Sequence, residues 1–132
     1  MSVTYSNLIK AAQGEAFARL KYMAFAQKAM EEGHPEVAQL FEEAAGAETI
    51  HGINHLLAAG FVKSTKKNIE SGAFGEQDEI DEMYPKMIEE AKNDTEATEE
   101  EKQRAIKAFE TAMKREEVHN QMFKKAAEEF GE

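Results

Sequence analysis

Residues 48–51, Glu-Thr-Ile-His, and residues 116–119, Glu-Glu-Val-His, share one pattern, a glutamate followed three residues later by a histidine. On an α-helix these two positions lie on one face, so each stretch presents a carboxylate and an imidazole together. A Gly-Glu pair precedes each stretch, at residues 14–15 and 75–76. Two single glutamates and two Glu-x-x-His motifs form the ligand set of carboxylate-bridged two-metal helical bundles. The sequence therefore predicts a metal pair.

Apolar residues recur with helical spacing along nearly the whole chain and nowhere alternate as in a strand, so we predict four helices and no sheet. Glycines, a His-Pro start signal and a capping box mark the helix ends. The predicted helices are A, from about Asn7 to Glu32; B, from His34-Pro35 to Gly60; C, from Asn68 to Lys92; and D, opened by the Thr98-x-x-Glu101 box and continuing to Phe130, with Phe61 to Lys67 linking B to C.

Helices A–B and C–D resemble two copies of one hairpin, which is an internal repeat. We expect one domain, residues 1–132, folded as an all-α four-helix bundle of two helical hairpins with one crossover connection. The crossover must span about 24 Å, and about ten extended residues reach roughly 33 Å. Exchange of hairpins between two chains satisfies the same geometry.

Heptad-like seams place the proposed ligands on the inner faces of these helices. The seam residues are Leu8, Glu15, Tyr22 and Ala29 on A; Phe41, Ala44, Glu48, His51 and His55 on B; Ile69, Ala73, Glu76, Ile80, Met83 and Met87 on C; and Phe109, Ala112, Glu116, His119, Phe123 and Ala126 on D.

Composition excludes several classes of protein. The chain has no cysteine, so it has neither disulfides nor a thiolate-bound metal. It has a net charge of -10 with acids and bases interleaved, which disfavours nucleic acid and anionic membranes as partners. No secretory signal or membrane-spanning run is visible, and we expect a cytoplasmic protein.

A purely structural role for the clustered glutamates is the alternative to metal binding. Two buried carboxylates about 4 Å apart repel by roughly 4 kcal/mol at an effective dielectric of about 20, so converging glutamates need protons or cations. A third match, Glu31-x-x-His34, straddles Gly33, and we expect His34 to be a helix cap or exposed. His55 is expected to pack or cap. Gly14 and Gly75 suggest close approach beside the single glutamates, and Pro85 suggests a kink in helix C.

The residues resemble the rubrerythrins, specifically their ferritin-like di-iron domain. The resemblance covers essentially the whole chain and rests on four segments, residues 14–22, 47–51, 76–85 and 116–119. In the third segment Glu79 follows Glu76 by three residues, as a seventh ligand that ferritins and bacterioferritins lack, and Met-Tyr-Pro follows it. The fold that this resemblance implies is a ferritin-like four-helix bundle.

The resemblance also implies the role of each residue. Glu48 and Glu116 would bridge two iron ions (Fe2+/Fe3+, with an oxo or hydroxo bridge). Glu15 would be terminal on one iron, and Glu76 with His119 on the other. Glu79 and His51 would alternate as ligands with oxidation state, and the hydroxyls of Tyr22 and Tyr84 would orient ligand carboxylates. Manganese or a mixed-metal pair suits the same ligands.

The function implied is a di-iron peroxidase that reduces hydrogen peroxide to water in defence against oxidative stress. Typical rubrerythrins carry a rubredoxin-like domain with four cysteines, which this sequence lacks. The sequence is therefore either of the shorter, erythrin-only branch or an excised domain. In both cases electrons would come from a separate carrier such as rubredoxin or a reductase. We expect a homodimer, with or without exchanged hairpins. Alternative functions are a ferroxidase or iron-storage subunit, a peroxide- or oxygen-sensing interaction module, and a metal-free structural bundle.

Overall fold

The computed structural model describes residues 1–130, and within that range every regular element is helical. The all-α prediction is thereby confirmed. The predicted helix C contains a short π-helix that divides it into two α-helices. The elements are α1, Val3–Glu31; α2, Pro35–Ala58; α3, Thr65–Asp78; the π-helix, Glu79–Met83; α4, Tyr84–Asn93; and α5, Glu99–Phe130.

Helices α1 and α2 pack against each other as the first hairpin. Ser2 caps α1, its hydroxyl accepting a hydrogen bond from the Tyr5 N–H at 3.0 Å, so the helix begins four residues before the predicted Asn7. Gly33 ends the helix with a φ of 81°, and the His34 N–H donates to the Ala29 carbonyl at 2.8 Å. This is the glycine-terminated helix end that the sequence predicts, and Pro35 then opens α2.

The centre of the first hairpin is built from small residues. Phe41 packs beside the alanine cluster and lies edge-on to Phe25, with ring centroids 5.4 Å apart. Alanine side chains are short, so the two helix backbones approach closely while larger apolar side chains lie on other faces. Phe17 and Ile50, for instance, are 69% and 62% exposed. The buried apolar residues are Ala12, Ala26, Ala29, Ala38 and Ala45, of which only Ala29 belongs to the predicted seams.

The second hairpin begins with α3, whose Ser64 cap accepts from the Lys67 N–H at 3.3 Å. The helix therefore starts three residues before the predicted Asn68. Asn68 lies inside the helix rather than at its cap, and its side-chain amide hydrogen-bonds to the backbone of Lys63. It accepts from the Lys63 N–H at 2.8 Å and donates to the Lys63 carbonyl at 2.9 Å.

The π-helix lies immediately before Pro85. The Tyr84 N–H donates to the Glu79 carbonyl, five residues back, as in a π-helix. Pro85 has no N–H and cannot continue the α-helical ladder, so the hydrogen-bond register changes at this point. The break expected at Pro85 thus takes the form of a π-helix just ahead of it.

Helix α5 packs against α3 and α4 and starts with the predicted capping box. The Glu101 N–H donates to Thr98 Oγ1 at 3.1 Å, and the Thr98 N–H donates to Glu101 Oε2 at 3.3 Å, which confirms this prediction. In the preceding turn Asp94 Oδ1 accepts from the Glu96 and Ala97 N–H groups at 2.8 and 3.2 Å. These bonds, that from Glu96 foremost, lower the pKa of the Asp94 carboxyl.

The chain divides into two compact units, Met1–Val62 and Lys63–Glu132, which correspond to the two predicted hairpins. The single domain over residues 1–132 and the crossover stay predictions, and residues 131–132 lie outside the described part. None of the described helices has the length and apolar character needed to cross a membrane.

Candidate metal centre

In the first hairpin one carboxylate from α1 meets the Glu-x-x-His motif of α2. His51 Nδ1 lies 3.3 Å from Glu15 Oε2 and 3.5 Å from Glu48 Oε1. One ligand atom from each of the three residues falls within 4.8 Å of the others. The imidazole side chain is 54% exposed, whereas the two carboxylate side chains are 23% and 24% exposed. Glu15, Glu48 and His51 therefore form a three-donor group that can hold a metal ion.

The second hairpin repeats this arrangement with Glu76 on α3 and the Glu116 and His119 pair on α5. Their ligand atoms also fall within 4.8 Å of one another, and His119 Nδ1 lies 3.7 Å from Glu76 Oε1. Six of the seven predicted metal ligands thus lie in two matching groups, three in each hairpin. In both groups it is Nδ1 of the imidazole that faces the carboxylates.

The surroundings of two carboxylate oxygens indicate whether a cation fits the second three-donor group. Glu76 Oε2 and Glu116 Oε2 are buried and have no hydrogen-bond partner among residues 1–130. A buried carboxylate oxygen without a donor is costly, so it requires a proton or a cation. Carboxylates and imidazoles are ligands suited to iron, manganese and zinc. The donor set and the unpartnered oxygens fit a transition-metal ion.

Glu79, the seventh predicted ligand, lies at the first position of the π-helix, outside both three-donor groups. Desolvation by burial raises the pKa of its carboxyl, and the negative charges of Glu76 and Asp78 raise it further. A π-helical turn inside an α-helix is frequent at functional sites. Glu79 is therefore a half-buried acid, coupled to Glu76, that holds a proton more readily than a solvated glutamate.

The two tyrosines lie against phenylalanines of the neighbouring helix in their own hairpins. The Tyr22 ring stacks on Phe41 with centroids 6.0 Å apart, and Tyr84 lies 6.0 Å from Phe109. Neither hydroxyl makes a hydrogen bond to a residue in the described range, so their role as orienting groups stays a prediction.

The two remaining histidines lie away from both three-donor groups. His34 is exposed at the N-cap position of α2, and its side chain makes no capping hydrogen bond. His55 is half-buried in the last turn of α2. Both placements agree with what the sequence predicts for these residues.

The glycines that matter for packing differ from those expected. A Cβ at Gly14 or Gly75 would meet no atom of its own hairpin within 4 Å, so the expected close approach does not occur within either hairpin. A Cβ at Gly52 would instead lie 3.4 Å from Glu15 Cβ. Gly52 follows His51 directly, and a methyl group there would be in van der Waals contact with the helix that carries Glu15. Sequence reasoning overlooked this position, although its place next to a ligand histidine was a usable signal.

Comparison with known proteins places this arrangement in a family. The Rubrerythrin family model matches residues 6–127. Nigerythrin of Nitratidesulfovibrio vulgaris (Hildenborough) is 37% identical over 134 residues, an alignment covering 91% of this chain and 63% of that protein. Rubrerythrin of Porphyromonas gingivalis W83 is 32% identical, covering 70% of this chain and 53% of that protein. This chain therefore spans between half and two thirds of the length of each of these two relatives.

A solved structure titled "Fully reduced state of nigerythrin (all ferrous)" is 32% identical and covers 99% of this chain and 69% of that chain, with a TM-score of 0.46. The family model alone spans most of the sequence, and the chain belongs to the rubrerythrin family. Its fold class is all-α, as predicted, and the ferritin-like arrangement of the two hairpins stays a prediction. Proteins of this family bind a pair of iron ions, and the two carboxylate-histidine groups are where this chain can hold metal.

Proposed function

We propose that this protein is a di-iron peroxidase that reduces hydrogen peroxide to water with electrons from a separate carrier. The observation that carries the proposal is the pair of matching groups, Glu15, Glu48, His51 and Glu76, Glu116, His119, each offering two carboxylates and one imidazole. Both groups together supply the two single glutamates and two Glu-x-x-His motifs that a carboxylate-bridged metal pair requires. Glu79 distinguishes this set from one with six ligands.

The two groups have to share one pair of ions for this function. They can come from one chain or from hairpins exchanged between two copies, and we propose a homodimer in either case. When bound, iron supplies the one-electron redox chemistry that breaks the O–O bond. The electron donor would be rubredoxin or a reductase. The two ions would be iron, although manganese or a mixed-metal pair suits the same ligands.

The protein's own residues bind the cations and supply protons. Reduction of one hydrogen peroxide molecule to two water molecules consumes two electrons and two protons. In the metal-free protein desolvation raises the pKa of the Glu79 carboxyl, and a positioned carboxylic acid can act as a general acid. We propose that Glu79, when it is not a metal ligand, donates a proton to the departing oxygen and is then recharged from solvent.

Stopped-flow oxidation of the diferrous protein tests this function. We expect hydrogen peroxide to oxidise the protein much faster than dioxygen at equal concentration. Equal rates with both oxidants, or faster reaction with dioxygen, would overturn the peroxidase assignment. Assembly into a large shell on size-exclusion chromatography would favour iron storage instead.

A further inference from the structure

A polar network in the second hairpin lies directly beside its metal-binding group. Asn120, which follows His119 on α5, is 6% exposed and is the one buried polar residue in the described range. Its Nδ2 donates to Gln77 Oε1 at 2.6 Å, and Gln77 follows Glu76 on α3. This short hydrogen bond therefore joins the residues next to one ligand on each of the two helices.

The other partners of Gln77 fix the direction of this bond. Lys124 Nζ donates to Gln77 Oε1 at 3.1 Å, and Gln77 Nε2 donates to Asp81 Oδ2 at 2.8 Å. A lysine ammonium can only donate and an ionised aspartate can only accept, so the amide of Gln77 has one possible orientation. Asn120 must then donate through Nδ2. The amide of Gln77 is thereby held from three sides, including from the π-helix through Asp81.

Burial of Asn120 is not explained by stability alone. Its Oδ1 is buried and has no hydrogen-bond partner among residues 1–130. A buried, unpartnered amide oxygen destabilises a fold relative to an apolar side chain of the same shape. An apolar residue would satisfy the packing at this position, so the hydrogen bond to Gln77 is the feature that distinguishes asparagine.

The first hairpin spaces its helices differently at the matching position. Gly52 follows His51 as Asn120 follows His119, and a Cβ at Gly52 would lie 3.4 Å from Glu15 Cβ, at van der Waals contact. The first hairpin therefore has no side chain at this position, whereas the second has an asparagine that bridges to the neighbouring helix. The distance from His Nδ1 to the glutamate on the other helix is 3.3 Å in the first hairpin and 3.7 Å in the second.

We infer that Asn120 and Gln77 are positioning residues that hold Glu76 in place opposite Glu116 and His119, and so set the affinity and coordination geometry of the metal bound by the second hairpin. The inference rests on the proposed metal-binding function. It assigns no contact between these amides and the metal. The hydrogen bond between Asn120 and Gln77 affects the metal only indirectly, because it fixes the helix positions of the neighbouring ligands. Groups that support metal ligands commonly act in this way.

Titration of the metal-free 132-residue protein with Co2+ tests the inference, because the visible absorption of Co2+ reports its coordination geometry. Asn120→Leu removes the donor while keeping the same number of side-chain heavy atoms, and Gln77→Met removes the acceptor. We expect each to weaken Co2+ binding by about 10- to 100-fold and to change the absorption spectrum. The double variant should be no weaker than the more affected single variant, since both remove the same bond.

Gln103→Met is the matched control, since Gln103 lies on α5 and makes an exposed hydrogen bond to Glu99 at 3.2 Å. Its Co2+ affinity and spectrum should equal those of the wild type. Wild-type affinity and spectrum in Asn120→Leu and Gln77→Met, even with lowered thermal stability, would overturn the inference and leave the metal site standing. Should Asn120→Leu fail to fold, Gln77→Met decides. Failure of the wild type to bind Co2+ would overturn the proposed function as well.

Discussion

His51 Nδ1 lies 3.3 Å from Glu15 Oε2, although 36 residues of sequence separate them. The spacing within Glu-x-x-His is set by the turn of one helix, but this contact depends on how two helices pack. The short alanines of the hairpin core allow that packing. The geometry of each three-donor group is therefore a property of the hairpin as a whole.

Glu116→Gln should have opposite effects on the metal-bound and metal-free protein. Each two-iron site should lose at least one of its iron ions, because the amide is a poorer ligand than the carboxylate. The metal-free protein should gain about 1 kcal/mol in free energy of unfolding, since the amide removes a buried charge near Glu76. Elemental analysis and urea unfolding with a chelator measure the two effects.

The control for this variant is Glu117→Gln, an exposed glutamate one position further along α5. It should leave both metal content and stability unchanged. A Glu116→Gln protein that keeps its full metal content would show that this carboxylate is not a ligand.

Glu79 should make the stability of the metal-free protein depend on pH. Burial, with Glu76 and Asp78, raises the folded-state pKa of its carboxyl above the ordinary value of 4.5. The folded state then binds the proton more tightly than the unfolded state, so the wild type loses stability as the pH rises from 4.5 through the folded pKa. Glu79→Gln cannot lose a proton, and it should be the more stable protein at pH 7.

Urea unfolding of both metal-free proteins between pH 4 and pH 7 checks this prediction. The advantage of Glu79→Gln should shrink toward pH 4, where the wild-type carboxyl is protonated in both states. A difference that stays constant over this range would contradict the raised pKa of Glu79.

Local patterns in the sequence predicted more of this structure than long-range patterns did. The Thr98 capping box and the Glu-x-x-His faces depend on neighbouring positions of one helix, and both are found. The starts of α1 and α3 were misplaced because Ser2 and Ser64 were not recognised as caps. These serines precede segments with weak apolar periodicity, which is why the pattern placed both starts too late.

The spacing of apolar residues in the sequence did not predict the alanine core of the first hairpin or the π-helix. Heptad spacing placed Ala29 in a seam but missed Ala26 and Ala38, which the first hairpin buries because close helix packing favours short side chains there. A π-helix changes the hydrogen-bond register without altering composition. Pro85 signalled a break in helix C, but the sequence alone did not reveal what form that break takes.

Thr98→Ala should destabilise the second hairpin. The threonine hydroxyl accepts from the Glu101 N–H, and Glu101 in turn accepts from the Thr98 N–H. Loss of an N-cap side chain costs about 1 kcal/mol, so the free energy of unfolding should fall by about that amount. Thr98→Ser retains the hydroxyl and should be close to wild type in the same urea unfolding measurement. Equal losses in both variants would mean that the hydroxyl is not the stabilising group.

Gly72→Ala and Gly75→Ala should differ in sign, although both glycines lie in α3. Alanine favours a helix over glycine by up to about 1 kcal/mol. Gly75 has free space for a Cβ, so Gly75→Ala should stabilise the metal-free protein by about that amount. At Gly72 the new Cβ would lie 3.1 Å from Phe123 Cζ and 3.2 Å from both Cε atoms, and the ring would have to move.

Crowding of this kind typically costs about 1 to 3 kcal/mol, which exceeds the helix-propensity gain, so Gly72→Ala should be less stable than the wild type. Urea midpoints at an unchanged m-value measure both effects. Gly72→Ala combined with Phe123→Leu should recover part of the loss if the ring is its cause, because the shorter side chain leaves room for the methyl group. A loss of stability at Gly75, in contrast, would show that the space beside it is filled in solution and would restore the close approach that the Gly-Glu pair suggested.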